Sequence, residues 1–256
     1  MRRKILAANW KMNLTQSEAE SYLESFLPEM RAVNDVEVVI IPPFTAIATL
    51  TAFSEKLLSV RIGAQNMHWE KSGAYTGEIS ATMLRALYVK YVVLGHSERR
   101  TLFGETDEIV NRKIKAALDA GLRPIFCIGE TLRERDAGHV EQVLEKQLCA
   151  GLNGVGKKDF TEVIVAYEPI WAIGTGRTAS PEQAEEAHLF VRSILAKLAD
   201  QPTADRMRIQ YGGSVKPDNA EELMRQKNID GALIGGASLD PRSFAEIIRS
   251  TEAALV

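Results

Sequence analysis

Eight short and mostly apolar runs recur along the chain, and longer amphipathic stretches separate them. Most of the runs are continuously apolar, which is typical of strands that are buried on both faces of a parallel sheet. The seventh run alternates apolar with polar residues and is the least typical strand of the set. The runs occupy residues 4–8, 36–41, 60–64, 91–94, 124–128, 163–166, 208–211 and 231–234.

The stretches between the runs carry signals for the beginnings of helices, with N-cap residues followed by proline or by glutamate or glutamine. Eight strands that alternate with helices predict an α/β fold, and we interpret residues 1–256 as a single domain. A closed (β/α)8 barrel fits the length and the strand number better than a doubly wound sheet, although the pattern alone is compatible with both. The clearest helix starts are Thr15 with Glu18, Ser180-Pro181 with Gln183, and Asp240-Pro241.

Polar and glycine-rich segments follow five of the predicted strands. Active sites of (β/α)8 barrels lie at the carboxyl ends of the strands, so this fold would bring the five segments to one rim. They would assemble an amide, an ammonium, an imidazole, a carboxylate and two glycine-rich turns around one cavity. The segments are Asn9-Trp10-Lys11, Gly95-His96-Ser97-Glu98, Tyr167-Glu168-Pro169, Gly212-Gly213-Ser214 and Gly235-Gly236-Ala237-Ser238.

Two glycine pairs indicate the kind of ligand. A turn without Cβ atoms lets backbone N–H groups approach an anion closely, and barrels commonly bind phosphate in the loops after strands seven and eight. Either pair alone would more simply be a tight turn. Together, Gly212-Gly213 and Gly235-Gly236 favour a phosphate-binding site.

Three of the polar residues are candidates for catalysis. Taken singly, Glu168, His96 and Lys11 could be a surface glutamate, a structural histidine and a solvated lysine. Their joint placement at strand ends weakens all three of these explanations. In addition, Pro169 biases the backbone of Glu168 towards an extended form, which would fix the direction of its side chain.

Composition narrows the range of partners. With 31 basic and 34 acidic residues and a formal net charge of −3, the chain has no general attraction for nucleic acid or an anionic membrane. No apolar run approaches the roughly 18 residues of a membrane span, and we expect a cytoplasmic protein. Cys127 and Cys149 indicate no disulfide framework. The sequence has no zinc motif and no well-placed dinucleotide fingerprint, so we expect neither a metal nor a cofactor.

Six segments spread along the chain also carry a family resemblance. They are Asn9-Trp10-Lys11-Met12-Asn13, Ala64-Gln65-Asn66, Gly95-His96-Ser97-Glu98-Arg99-Arg100, Gly129-Glu130-Thr131, residues 166–176, and Tyr211-Gly212-Gly213-Ser214. In this order they resemble the signature segments of the triosephosphate isomerase family. The resemblance implies a cofactor-free enzyme of glycolysis and gluconeogenesis. It would interconvert D-glyceraldehyde 3-phosphate and dihydroxyacetone phosphate through an enediolate.

The resemblance also implies roles for individual residues. Glu168 resembles the family's catalytic base, His96 the electrophile that polarises the carbonyl oxygen, and Lys11 the cation that stabilises negative charge. Residues 65–79 resemble the loop through which the family forms homodimers, and residues 169–179 resemble its lid. The substrate-binding groups would be Asn9, Lys11 and the backbone amides of Gly174, Ser214, Gly235 and Gly236.

Two other functions remain open on the sequence. A Schiff-base aldolase of the same fold would use a lysine as its nucleophile, and Lys11 is the only obvious rim lysine. A phosphate-binding module without catalytic activity would need the glycine turns but no base, so Glu168 and His96 count against it.

Overall fold

Eight parallel strands close into a barrel in a computed structural model that describes residues 2–54, 60–172 and 179–255. Each strand pairs with the next along the chain, and the last pairs with the first. All eight predicted strands are present within one residue of their predicted bounds, and the closed barrel is confirmed over a doubly wound sheet. The strands are β1 (Ile5–Asn9), β2 (Glu37–Ile41), β3 (Val60–Ala64), β4 (Tyr91–Leu94), β5 (Arg123–Ile128), β6 (Ile164–Tyr167), β7 (Arg208–Tyr211) and β8 (Gly231–Ile234).

Helices cover the outside of the barrel, and the predicted helix starts are present. The backbone N–H of Gln183 donates to Ser180 Oγ over 3.2 Å, and that of Ser243 donates to Asp240 Oδ1 over 2.7 Å. The helices are α1 (Gln16–Phe26), α2 (Ile47–Ser54), α3 (Ala81–Ala86), α4 (Ser97–Phe103), α5 (Asp107–Asp119), α6 (Leu132–Asp136), α7 (Val140–Gly151), α8 (Pro181–Leu198), α9 (Gln201–Ala204), α10 (Pro217–Met224) and α11 (Pro241–Ala253).

The apolar core has two layers, because strand residues point alternately into the barrel and out towards the helices. The inner cluster contains residues such as Val39, Ile41, Val93 and Ile125. The larger outer cluster lies between the strands and the helices. Cys127 belongs to the inner cluster, and both cysteines are free thiols.

The least typical of the predicted strands, β7, alternates because it contains a polar residue, Gln210, that is fully buried. The ladder between β7 and β8 contains a single residue pair. Gln210 Nε2 donates to the backbone carbonyls of Ala232 and Ile5, over 3.2 Å and 3.1 Å. Gln210 therefore links β7 to β8 and to β1, at the point where the barrel closes.

Across the described ranges, no helix is long and apolar enough to cross a membrane.

Candidate active site

A cavity of about 280 Å³ opens at the carboxyl ends of the strands. Seven of the eight predicted site residues line it, whereas Gly174 lies outside the residues that the structure describes. The fold thus brings together segments that are up to 227 positions apart in the sequence, Asn9 and Gly236 being the extremes. The seven residues are Asn9, Lys11, His96, Glu168, Ser214, Gly235 and Gly236.

Lys11 is held in a backbone conformation that lysine does not favour. Its φ of +52° lies in the left-handed region, which costs free energy for a residue with a Cβ atom. Its backbone N–H donates to Asn9 Oδ1 over 3.1 Å, and its carbonyl accepts from Gln65 Nε2 over 2.6 Å. Its ammonium lies 2.6 Å from Glu98 Oε1. Neighbouring side chains therefore hold Lys11 at the rim against its own backbone preference.

His96 caps the amino terminus of α4, and its bonding defines which nitrogen carries hydrogen. Nδ1 accepts from the backbone N–H of Glu98 over 3.2 Å, so a neutral ring carries its hydrogen on Nε2. Nε2 points to Glu168 and lies 3.0 Å from Oε1. The geometry therefore presents an N–H donor to the cavity.

Glu168 follows β6 directly and is only 2% exposed. Its backbone N–H donates to the carbonyl of Ile128 over 2.7 Å, which prolongs the pairing with β5. Its carboxylate accepts from the backbone N–H of Ser97 over 2.9 Å and from Ser97 Oγ over 3.3 Å. Among the described residues, no lysine or arginine pairs with this carboxylate, and the polar groups around it belong to Ser97 and His96.

Two glycines make room for Glu168. A Cβ atom on Gly129 would lie 1.8 Å from the carbonyl oxygen of Glu168, and one on Gly212 would lie 2.9 Å from its Cγ. A larger residue would displace the backbone at Gly129 and would push the Glu168 side chain at Gly212. The sequence predicted Gly212 as part of a phosphate-binding turn, and the structure adds that it lets the β6 end approach β7.

The side chain of Arg100 supports the loop that carries His96. Its guanidinium donates to the carbonyls of Gly95 and Cys127, over 2.7 Å and 3.2 Å, and pairs with Asp107 over 2.6 Å. The loop before His96 is thereby tied to β5. Burial raises the pKa of the Cys127 thiol well above its usual value, and the nearby charge of Glu168 adds to the shift. The thiol is therefore neutral and serves as an apolar neighbour of the carboxylate.

Glu130 anchors the segment that follows Glu168. Its Oε1 accepts from the Tyr167 hydroxyl over 3.0 Å, from Trp171 Nε1 over 2.8 Å and from Arg135 over 3.1 Å. Burial, followed by the charge of Glu130, raises the pKa of Tyr167, so its hydroxyl remains a donor. The first part of the predicted lid is therefore fixed to the loop after β5, whereas residues 173–178 lie outside the described residues.

Three residues of this site were not assigned roles from the sequence. Ser97 bonds the Glu168 carboxylate, Glu98 pairs with Lys11, and Lys216 lines the mouth of the cavity. Ser97 and Glu98 follow His96 directly, and their position in the first turn of a helix was the available signal. In the described ranges, no group of three or more His, Cys, Asp and Glu residues could hold a metal ion.

Comparisons with known proteins agree with this geometry. The protein family described as "Triosephosphate isomerase" matches this chain over residues 4–251. A triosephosphate isomerase of Geotalea uraniireducens is 50% identical over 98% of this chain and 100% of its own length. One from Dictyoglomus thermophilum is 49% identical over 98% of this chain and 100% of its own. One from Symbiobacterium thermophilum is 53% identical over 96% of both chains.

Proposed function

The chain belongs to the triosephosphate isomerase family, and we propose that it interconverts D-glyceraldehyde 3-phosphate and dihydroxyacetone phosphate in this cavity, with Glu168 as the base. The observation that carries the residue roles is the 3.0 Å approach of Glu168 Oε1 to His96 Nε2. It places a proton acceptor beside a hydrogen-bond donor. Such a pair can act on a C–H group and on the oxygen of the adjacent carbonyl.

The proposed reaction moves one proton between two adjacent carbons and one between their oxygens, and it needs no external oxidant or reductant. The Glu168 carboxylate takes a proton from the carbon next to the carbonyl, and the electron pair moves onto the carbonyl oxygen to give an enediolate. The Nε2–H of His96 stabilises that oxygen, as the family's neutral histidine does. The hydroxyl proton of the enediolate passes to its other oxygen, and protonated Glu168 returns its proton to the neighbouring carbon. The aldose becomes the ketose, or the reverse, without a cofactor.

Glu168 has to change partners before it can act. In the structure its carboxylate is bonded to Ser97 and faces His96 Nε2. One Nε2–H cannot donate fully to the carboxylate and to a substrate carbonyl at the same time. Substrate binding must therefore separate the two side chains and release Glu168 from Ser97.

Lys11 and the glycine turns supply the charge and the donors for an anionic substrate. The Lys11 ammonium would stabilise the phosphate dianion and the enediolate, helped by the amide of Asn9. The backbone amides of Ser214, Gly235 and Gly236, with that of Gly174, would hold the phosphate. The Lys11 ammonium also pairs with Glu98 over 2.6 Å.

We also propose a homodimer that forms through residues 65–79, in which Thr76 approaches the active site of the other subunit. Gln65, at the start of the loop, holds the backbone of Lys11 in its unfavourable conformation. Met12 and Tyr75 are large apolar side chains that stay exposed on the single chain. Separating the subunits should therefore loosen Lys11 and abolish activity. Sedimentation that detects a fully active monomer would contradict this.

An assay coupled to the reduction of dihydroxyacetone phosphate tests the proposed activity. The purified chain should convert D-glyceraldehyde 3-phosphate, and borohydride should trap no covalent adduct with the substrate. No conversion by the folded protein would overturn the isomerase function, and a trapped adduct at Lys11 would favour the aldolase. A role in glycolysis and gluconeogenesis further leads us to propose a cytoplasmic location.

A further inference from the structure

A second cleft, of about 480 Å³, lies at the opposite end of the barrel from the catalytic cavity. Two of its arginines, Arg123 and Arg208, are the first residues of β5 and β7, whereas Glu168 follows the last residue of β6. We propose that this arginine cleft binds a compact oxyanion with at least two phosphate groups, for which pyrophosphate is the probe. The cleft is lined by Arg2, Arg3, Arg123, Asp205, Arg206 and Arg208.

Three of the five guanidinium groups are compensated by carboxylates. Arg2 lies 2.6 Å from Asp230, Arg123 lies 3.0 Å from Glu162, and Arg208 lies 2.6 Å from Glu37. These pairs hold the guanidinium groups in place at the base of the cleft. They leave the other two arginines, which are exposed, as the source of excess positive charge.

Arg3 and Arg206 have no carboxylate partner in the described part of the chain. Arg3 donates to backbone carbonyls only, among them that of Asn34 over 3.0 Å. Arg206 lies within electrostatic reach of Asp200 but forms no ion pair with it. Among the described residues that line the cleft, Asp205 is the single acidic one, and its side chain accepts from Gln201 Nε2 over 2.8 Å. The cleft therefore carries net positive charge although the chain as a whole carries −3.

A buried donor in the wall of the cleft is also unsatisfied. Arg208 is nine-tenths buried, and its NH2 group has no hydrogen-bond acceptor among the described residues. Leaving a buried donor without an acceptor costs about 1–3 kcal/mol, and more for a charged group, so native proteins rarely do so. A phosphate oxygen in the cleft could supply this acceptor, directly or through one bridging water.

The arrangement fits a polyphosphate better than a carboxylate or a single phosphate. Guanidinium groups bind phosphate oxygens through parallel N–H donors, and this geometry favours arginine over lysine at such sites. The two exposed arginines, Arg3 and Arg206, line a cleft of about 480 Å³, which is larger than one phosphate group needs. A ligand with two linked phosphates could contact both exposed arginines and the buried guanidinium at once.

Binding in this cleft should stabilise the fold without changing catalysis. A ligand that binds only the folded state stabilises it by mass action, and this cleft joins the amino terminus to the segment before β7. The catalytic groups lie at the other end of the strands. The inference is independent of the proposed isomerase activity, and the two can fail separately.

Calorimetric titration of the full chain with pyrophosphate tests the proposal, with the inhibition constant for isomerisation measured in parallel. Inhibition reports the catalytic cavity, so a second binding event without inhibition reports the arginine cleft. Arg206→Gln should weaken that event at least fivefold, as expected when one charged hydrogen-bonding group is lost. Arg249→Gln removes the same charge from an exposed pair on α11 and should leave it unchanged. Both variants should keep the wild-type inhibition constant.

Two results would overturn the inference. One is a single class of pyrophosphate site whose dissociation constant equals the inhibition constant. The other is an equal effect of Arg206→Gln and Arg249→Gln, because binding would then depend only on overall charge. One exposed arginine could compensate for the loss of the other. The double variant Arg3→Gln/Arg206→Gln removes both and should abolish the second binding event of pyrophosphate.

Discussion

Buried carboxylates have different partners at the two ends of the barrel. At the amino end, Asp230 is buried between two guanidinium groups, 2.6 Å from Arg2 and 2.7 Å from Arg192. At the carboxyl end, Glu168 is as deeply buried, but among the described residues it contacts Ser97 and His96 and pairs with no lysine or arginine. A neighbouring cation would stabilise a carboxylate and weaken it as a base. Ion pairing thus stabilises one end of the fold, whereas at the other end the carboxylate that we propose as the base is left without a neighbouring lysine or arginine among the described residues.

Removing the carboxylate of Glu168 tests the reactive end and should have the largest effect. Glu168→Gln keeps the size of the side chain and its contacts with Ser97 but cannot accept a proton from carbon. General bases contribute roughly 10²–10⁴-fold to the rate, and we expect kcat to fall by about that factor with little change in the unfolding midpoint. Steady-state kinetics and thermal unfolding measure the two quantities. A near-normal kcat would remove Glu168 from the role of base.

The same change at the amino end should affect stability instead of rate. Asp230→Asn leaves the buried Arg192 and the partly buried Arg2 without a carboxylate, and breaking a buried pair costs about 3–5 kcal/mol. Glu221→Gln is the matched control, since its pair with Arg225 is exposed and should be worth about 0.5 kcal/mol or less. Urea unfolding measures both. If Asp230→Asn instead lowered kcat at unchanged stability, the division of roles between the two ends would be wrong.

His188 lies between the two ends and should make the fold sensitive to acid. Its ring packs against Tyr167 and Tyr211, and its Nδ1 lies 3.2 Å from the carbonyl of Asn228. Burial lowers its pKa from 6.5 to about 3. The unfolded chain therefore binds a proton that the folded chain excludes between these two pH values. This contribution to stability is complete above pH 6.5 and is lost as the pH falls towards 3.

Urea unfolding as a function of pH tests the prediction for His188. The free energy of unfolding should fall from pH 7 to pH 4, and His188→Gln should flatten this slope whatever it does to stability at pH 7. Exposed His139→Gln is the matched control and should leave the slope as it is in the wild type. An unchanged slope in His188→Gln would show that other groups cause the acid sensitivity.

The smallest expected effect concerns two residues with a left-handed backbone, one at each end of the barrel. Lys11 has a φ of +52° and is held by Asn9 and Gln65, whereas Tyr88 has a φ of +57° before β4 and is 80% exposed. Left-handed backbone costs about 1–2 kcal/mol for a residue with a Cβ atom, so Tyr88→Gly should stabilise the fold by about 1 kcal/mol without changing kcat.

The reverse change provides a control for Tyr88→Gly. Gly121 has a φ of +71°, and a Cβ atom there would meet no atom within 4 Å. Gly121→Ala should therefore destabilise the fold by about 1 kcal/mol through backbone strain alone. If Tyr88→Gly also destabilised the protein, its exposed ring would have a packing role that the single chain does not reveal.

Strand positions and the rim segments were predictable because both follow from local sequence. Apolar runs mark buried strands, and the barrel geometry assigns whatever follows them to one end. This was enough to bring Asn9, His96 and Glu168 to one cavity. The atypical strand β7 fits this rule too, because its polar residue Gln210 is fully buried and donates hydrogen bonds to β1 and β8.

Pairings between distant residues were not predictable, because they depend on distances that only the packed fold defines. Ser97 bonds Glu168 across 71 positions, and Arg208 pairs with Glu37 across 171. Nothing in the local sequence of either residue indicates the partner. The arginine cleft likewise combines the first residues of the chain with residues 123 and 205–208.

The most direct test of the account is hydrogen exchange during turnover. Dihydroxyacetone phosphate is converted in D2O, and deuterium in the D-glyceraldehyde 3-phosphate product is located by NMR. Proton transfer through an enediolate with Glu168 as the base predicts solvent deuterium at carbon 2 with the wild type and none above background with Glu168→Gln. Wild-type turnover that leaves the product free of deuterium would contradict the account, because hydrogen would then pass between the two carbons without exchanging from the carboxylate.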